Sequence, residues 1–138
     1  MELRQHPFIR ELISLGLPSA DYVVAGSGPL LAHGLRQDIG DLDIVARNAA
    51  WKIALSMGEA TVPPSGHGSM VVLFGGHLEI FDRWLPGTRD ADTLINSAEL
   101  VDGIPFCPLS DVLEWKRKSS RLKDRQDAEL IMAYMDTT

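Results

Sequence analysis

Residues Ala25 to Val45 read AGSGPLLAHGLRQDIGDLDIV, and this stretch decides the fold of the chain. An apolar, β-favouring run, Tyr22–Ala25, leads into it and predicts a strand. A turn of small residues, Gly26-Ser27-Gly28, comes next, followed by a predicted helix from Pro29 to Leu35. A second predicted strand, Asp41–Val45, closes the stretch, so the pattern indicates a strand–turn–helix–strand unit of an α/β protein.

Two carboxylates stand at the mouth of the second strand. Side chains alternate between the faces of a strand, so Asp41 and Asp43 share one face while Leu42 and Ile44 point to the opposite, apolar one. Two ionised carboxylates at this range repel each other, and a divalent cation converts the repulsion into coordination because oxygen ligands suit Mg²⁺. The pair predicts a Mg²⁺ site, with a polar strand end that faces water as the alternative.

The turn of small residues has the character of an anion site. Glycines permit positive φ and close approach of a ligand, the first N–H groups of a helix lack internal partners, and Ser27 adds a hydroxyl donor. The dinucleotide fingerprint is missing because Leu31 stands where it needs glycine, and no Gly-Lys-Ser/Thr follows for a Walker loop. A phosphate cradle and an ordinary turn both remain open at this point.

Taken together, Gly26-Ser27, a helix ending near Gly34, Arg36 and then Asp41-Leu42-Asp43 resemble the nucleotidyltransferase superfamily with the polymerase-β-type catalytic core. The resemblance extends over most of the chain. It implies an α/β (α+β) fold, a mixed twisted sheet flanked by helices and followed by C-terminal helices. It also implies a third carboxylate from a later strand.

The third carboxylate is sought in a predicted hairpin. Its strands are Met70–Phe74 and His77–Asp82, turned at Gly75-Gly76. Glu79 is flanked by apolar neighbours, as the family's third acid is, and is the preferred candidate. Asp82 is the alternative. The family more often has Asp at this position, so Glu79 is a departure that bears on the strength of metal binding.

A basic segment near the C-terminus supplies a second match. Lys116, followed by Arg121, Lys123, Asp124 and Asp127, resembles the tail of small nucleotidyltransferases, where a lysine on one helix precedes Arg-x-Lys-Asp-x-x-Asp on the next. Cations here would neutralise a triphosphate. A solvated basic turn between two helices is the alternative, with both aspartates only stabilising the start of the last helix.

The resemblance implies transfer of a nucleoside monophosphate from a nucleoside triphosphate (NTP) to an acceptor hydroxyl, with release of pyrophosphate. Asp41, Asp43 and Glu79 would be the catalytic and metal-binding residues for one or two Mg²⁺ ions, and Glu79 would also accept the proton of the acceptor. The implied triphosphate ligands are Gly26, Ser27, Lys116 and Lys123.

The acceptor is left open between a small molecule, a protein and an RNA end. No acceptor-recognition domain is visible, so a partner or a second copy would complete the site, or the acceptor is small. Some relatives pair with a helical toxin partner. The alternative function is a catalytically inactive nucleotide-binding or partner-binding member of the same fold, a component of toxin–antitoxin type, which Glu79 in place of Asp favours.

Composition limits these possibilities. The 138 residues fit one domain, 1–138, with a sizeable core. A net charge of −6 disfavours a broad nucleic-acid surface, so a small-molecule or protein acceptor is preferred. No apolar run has the length of a membrane span, the N-terminus lacks a signal-peptide pattern, and the single Cys107 reads as a core residue, so a cytoplasmic location is expected.

The remaining pattern predicts further elements and assigns the histidines. Helices are predicted over 7–15, 49–57, 89–96, 108–118 and 123–135, and a second hairpin turns at Asp102-Gly103. The last helix is expected to bury Ala128, Ile131, Met132 and Met135. His33 is expected to be a hydrogen-bonded structural residue, whereas His67, in a Pro/Gly-rich loop, and His77, beside Glu79, are open alternatives at the edge of a site.

Overall fold

The computed structural model describes residues 2–136 and contains a mixed sheet flanked by helices. Its strands are β1 Tyr22–Ala25, β2 Leu42–Ala46, β3 Ala60–Thr61, β4 Met70–Leu73, β5 Leu78–Phe81, β6 Glu99–Val101 and β7 Ile104–Phe106. Its α-helices are α1 Pro7–Ser14, α2 Gly28–Ala32, α3 Asn48–Met57, α4 Ala91–Asn96, α5 Leu109–Arg117 and α6 Leu122–Asp136. Short 3₁₀ turns lie at Leu3–Gln5, Ser19–Asp21 and Phe74–Gly76. The predicted fold class, a mixed sheet with C-terminal helices, is confirmed.

The seven strands lie in the order β3-β4-β5-β2-β1-β7-β6. At the centre, β2 pairs antiparallel with β1 and parallel with β5. On the other side of β1, β7 runs parallel to it. The strand that carries Asp43 therefore lies between the strand that leads into the glycine turn and the strand that carries Glu79.

Alternation along the central strands separates two apolar layers. Leu42 and Ile44 are fully buried on the face that α1 and α3 cover. Val23 and Val45 are buried on the other face, together with side chains of α4, α5 and α6. This second face also carries Asp43 and its strand neighbours, so the C-terminal helices pack directly beside the carboxylates.

Both predicted hairpins are present, and their turns use left-handed backbone. The first joins β4 to β5 through Phe74–Gly76, and the second joins β6 to β7 through Asp102 and Gly103, whose φ angles are 52° and 77°. Helix α2 is shorter than predicted. It ends at Ala32 because Gly34 adopts a φ of 73° and the chain turns away.

The prediction for the apolar face of the last helix was partly wrong. Ala128 and Ile131 are buried as expected, but Met132 and Met135 are 40% and 42% exposed. The reason is that the inward face of α6 is narrow, and Tyr134 packs against the core near the helix end instead of the methionines.

Two smaller expectations concern the cysteine and the membrane. Cys107 is fully buried, and burial raises the pKa of its thiol to about 12, so its assignment as a core residue is confirmed. Within residues 2–136, no helix is both long enough and apolar enough to cross a bilayer.

The central position of β2 makes a test of the packing possible. Ile44→Ala removes a fully buried side chain from the middle of the sheet and is expected to lower the free energy of unfolding by about 2–5 kcal/mol. Val72→Ala, at a half-exposed position on β4, is the control and is expected to cost under about 1 kcal/mol. Urea unfolding checks both, and equal losses in the two variants would contradict the layer assignment.

Candidate functional site

Three carboxylates from two strands converge on one point. Asp41, Asp43 and Glu79 each present an oxygen, and these oxygens lie within 4.8 Å of one another. The register explains the convergence, because Asp43 on β2 is the direct partner of Glu79 on β5. Asp41 precedes β2, which begins at Leu42 and not at Asp41 as predicted, yet its side chain reaches the same cluster.

The glycine turn presses against this cluster. Gly26 follows β1 with a φ of 59°, and a β-carbon placed there would lie 2.3 Å from Oδ2 of Asp43. No side chain fits at that distance, so only glycine lets the turn approach the carboxylate this closely. The turn and the carboxylates, which the sequence suggested separately, are therefore adjacent. We call the Gly26-Ser27 turn together with Asp41, Asp43 and Glu79 the corner.

The carboxylates perturb one another electrostatically. Burial raises the pKa of Asp43 to about 7, assisted by the charges of Asp41 and Glu79 and opposed by those of Lys116 and Lys123. The pKa of Glu79 is also raised, first by burial and then by the charge of Asp41 and a hydrogen bond with it. Such a cluster carries excess negative charge near neutral pH. Oxygen donors and uncompensated negative charge are what a hard divalent cation such as Mg²⁺ requires, so these residues fit the ion.

Lys116 is held by three oxygens. Its Nζ atom lies 3.1 Å from Oγ of Ser27, 3.1 Å from Oδ1 of Asp124 and 3.0 Å from Oδ2 of Asp127. An ammonium group has three hydrogens to donate, and this arrangement uses all of them. In this structure Lys116 therefore fixes the position of Ser27 and links the glycine turn to α6, and it has no donor left for a phosphate.

Asp127 is the centre of this buried network. Its carboxylate is fully buried, and besides Lys116 it accepts hydrogen bonds from Arg36, at 2.6 Å and 2.8 Å, and from Oγ of Ser27 at 3.3 Å. Asp124 is tied in through hydrogen bonds from Ser119 and Lys116, which hold its pKa below the usual range although burial opposes them. Both aspartates thus do more than stabilise the start of α6, and Arg36 acquires a partner that its sequence position did not reveal.

A cavity of about 680 Å³ opens over the corner. Gly26, Ser27 and all three carboxylates line it, and so do two exposed cations at the α5–α6 junction, Arg121 and Lys123. Pockets that bind small molecules commonly have this size. Lys123 and Arg121, rather than Lys116, are the cations exposed to a ligand in the cavity.

The other candidate residues from the sequence, Asp82 and the histidines, are bonded to groups outside the carboxylate cluster. Asp82 is outside the carboxylate cluster, and its Oδ1 atom accepts a hydrogen bond from the backbone N–H of Ser69 at 2.7 Å. His77 contacts Glu11 at 2.8 Å and stacks on Phe8, so it does not border the cavity. His67 lies 2.8 Å from the carbonyl oxygen of Trp84. His33, paired with Glu99 at 2.6 Å, is hydrogen-bonded as predicted.

One side of the cavity has no counterpart among the residues predicted from sequence. This side is lined by Pro63, Pro64, Ser65, Phe81, Trp84, Leu85 and Trp115. Alternation along β5 puts Phe81 on the face of Glu79, which is a usable sequence signal for one of these residues. The others come from the loop before β4, the segment after β5 and helix α5, which only the folded chain brings together.

Comparison with known proteins adds no assignment, since no protein family, curated protein or solved structure matches the chain.

The raised pKa of Asp43 makes stability depend on pH. The proton is bound more tightly in the native protein than in the unfolded chain, so the stabilisation is complete below pH 3.8 and is lost as pH rises through about 7. Without divalent metal, Asp43 ionises in the wild type as the pH rises, whereas the asparagine of Asp43→Asn stays neutral. The unfolding free energy of the variant minus that of the wild type is therefore expected to be larger at about pH 8 than at about pH 5. Urea unfolding at both pH values measures this, with Asp102→Asn as an exposed control. Parallel pH profiles for wild type and Asp43→Asn would contradict it.

The Asp127 network makes a second prediction. Asp127→Ala leaves the cations of Lys116 and Arg36 without their buried partner and is expected to cost about 3–5 kcal/mol of unfolding free energy. Glu129→Ala, exposed on the same helix, is the control and is expected to change stability by less than about 0.5 kcal/mol. Denaturant unfolding of the two variants distinguishes a buried network from an ordinary helix cap, which would cost only about 1 kcal/mol.

Proposed function

We propose that this chain is a Mg²⁺-dependent nucleotidyltransferase that moves a nucleoside monophosphate from an NTP to an acceptor hydroxyl. One observation carries the proposal. The three carboxylates of Asp41, Asp43 and Glu79 converge beside the Gly26-Ser27 turn, inside a cavity that also exposes Lys123. The resemblance of the sequence to the polymerase-β-type superfamily requires this combination of groups in one place.

The carboxylates and the glycine turn would have different roles, metal binding and phosphate binding. Asp41, Asp43 and Glu79 would hold one or two Mg²⁺ ions. Bound Mg²⁺ would offset the charge that builds up on the phosphoryl oxygens during transfer. The backbone of Gly26 and the hydroxyl of Ser27 would bind the β- and γ-phosphates.

Two of the cations would contact the phosphates directly, and a third would act through Ser27. Lys123 and Arg121 would neutralise the triphosphate directly, since both line the cavity and are exposed. Lys116 would act through Ser27, whose hydroxyl it holds in place. Glu79, which lines the cavity beside the two aspartates, would accept the proton of the attacking hydroxyl.

The proposal is tested by titrating Mg²⁺ with each NTP and following thermal stability, then pyrophosphate release over a panel of acceptors. A nucleotide at 100 times its Kd adds about 2.7 kcal/mol of stability. For a chain of this size that raises Tm by about 5–10 °C. Stabilisation without pyrophosphate release would favour the inactive nucleotide-binding alternative, and no stabilisation would favour a partner-binding role.

Charge-removing variants locate the site. Asp41→Asn and Asp43→Asn keep the side-chain shape but remove a metal ligand's charge, and each is expected to abolish the Mg²⁺-dependent part of the nucleotide stabilisation. Asp82→Asn removes the same charge outside the cluster and is the control, expected to retain that stabilisation. If nucleotide binding survives in both cluster variants with its Mg²⁺ dependence intact, the site assignment is wrong.

A further inference from the structure

The part of the cavity that faces the carboxylates from the β5 side is apolar. We call this surface the apolar wall, and it is formed by Pro63, Pro64, Phe81, Trp84, Leu85 and Trp115. The rings pack on one another, with centroids of Phe81 and Trp84 at 5.4 Å and those of Trp84 and Trp115 at 5.7 Å. Leu85 is 41% exposed, so the wall is open to a ligand.

The wall and the phosphate-binding turn lie on opposite sides of the carboxylates. The central strands are ordered β5-β2-β1, so Ser27 lies at the β1 side and Asp43 in the middle. Phe81 and Trp84 belong to β5 and the segment after it, and Pro63 comes from the loop before β4, the next strand outward. Across the sheet the order is therefore the turn, then the carboxylates of Asp43 and Glu79, then the loop with Pro63. Trp115, which precedes Lys116 on α5, covers the wall from the helix layer.

Displacement at phosphorus imposes a direction on this order. The attacking oxygen approaches the α-phosphorus opposite to the leaving pyrophosphate. With the β- and γ-phosphates on Ser27, the acceptor must come from the side of the wall. We infer that the apolar wall binds the acceptor, and that the acceptor is a hydroxyl carried on an aromatic or other apolar group. This inference rests on the proposed function.

The small number of polar groups on the side of the apolar wall favours such an acceptor. Among the lining residues described on that side, only Ser65 has a polar side chain that is not part of an aromatic ring. A sugar or polyol would lose most of its hydrogen bonds with water there, whereas an aromatic ring gains from burial.

The reaction that follows is balanced without any further reactant. The acceptor oxygen forms a bond to the α-phosphorus, and the bond from that phosphorus to the bridging oxygen of the β-phosphate breaks. Pyrophosphate leaves with the bonding electron pair. The hydroxyl proton passes to Glu79 and from there to solvent.

Two alcohols test the inference. 2-Phenoxyethanol carries one primary hydroxyl, an ether oxygen and an aromatic ring, and 2-methoxyethanol carries the same hydroxyl and ether without the ring. Pyrophosphate release above the alcohol-free rate, with Mg²⁺ and the best-stabilising NTP, is expected to be at least about tenfold higher with 2-phenoxyethanol because the wall buries the ring. Leu85→Ser is expected to lower that rate several-fold, and Leu100→Ser, at a 68% exposed position on β6, is the control expected to leave it unchanged.

The outcomes separate this inference from the proposed function. If the wild type shows no Mg²⁺-dependent nucleotide stabilisation, the proposed function fails and the inference falls with it. If the nucleotide binds and both alcohols give equal release, or if other acceptors of the panel give release and neither alcohol does, the acceptor class is wrong while the proposed function stands. If the nucleotide binds and no acceptor of the panel gives release, the transferase activity fails and the inference falls with it. If Leu85→Ser reduces nucleotide stabilisation instead of the alcohol-dependent rate, the wall holds the base of the NTP and the inference is overturned.

Discussion

Repulsion among three carboxylates is the constraint on which the site depends. Asp41, Asp43 and Glu79 cannot all be ionised at short range without a compensating positive charge, and burial makes the conflict worse. Among residues 2–136, no direct ion pair offsets this charge, and the buried cation Lys116 is bonded to Asp124, Asp127 and Ser27 instead. The cluster therefore retains negative charge that a divalent metal would offset. Perturbed carboxylates that line a cavity make this cluster a candidate functional site.

The buried network around Asp127 holds in place the turn and the helices that surround the carboxylate cluster. It joins α6 to the glycine turn through Lys116 and Ser27, and to the segment after α2 through Arg36. Because α5 and α6 are held there, Trp115 packs against Trp84, and Lys123 reaches the cavity mouth. The positions of the glycine turn and of the apolar wall therefore both depend on this network of buried ion pairs.

Much of the fold was predictable from local patterns. Alternation in Asp41–Val45 placed Leu42 and Ile44 in the core, and the Gly75-Gly76 and Asp102-Gly103 pairs marked both hairpins because few residues adopt left-handed backbone. The resemblance to the nucleotidyltransferase family, together with the apolar neighbours of Glu79, favoured Glu79 over Asp82. The methionines of α6 were misassigned because helical spacing gives the direction of a side chain but not how far the neighbouring layer extends. The assignment of Lys116 as a direct phosphate ligand had a similar weakness. A pattern of charges in the sequence does not show that the carboxylates of Asp124 and Asp127 lie within reach of the lysine.

The sequence by itself determined the strand–turn–helix–strand unit and the shared orientation of Asp41 and Asp43. These follow from backbone geometry, which repeats every two residues in a strand and permits positive φ mainly at glycine. Only the tertiary structure decided that Gly26 touches Asp43, that Asp127 captures Lys116 and Arg36, and that tryptophans from two distant segments form one wall. Those contacts join residues up to 91 positions apart, and their existence depends on how whole layers pack, which no local pattern encodes.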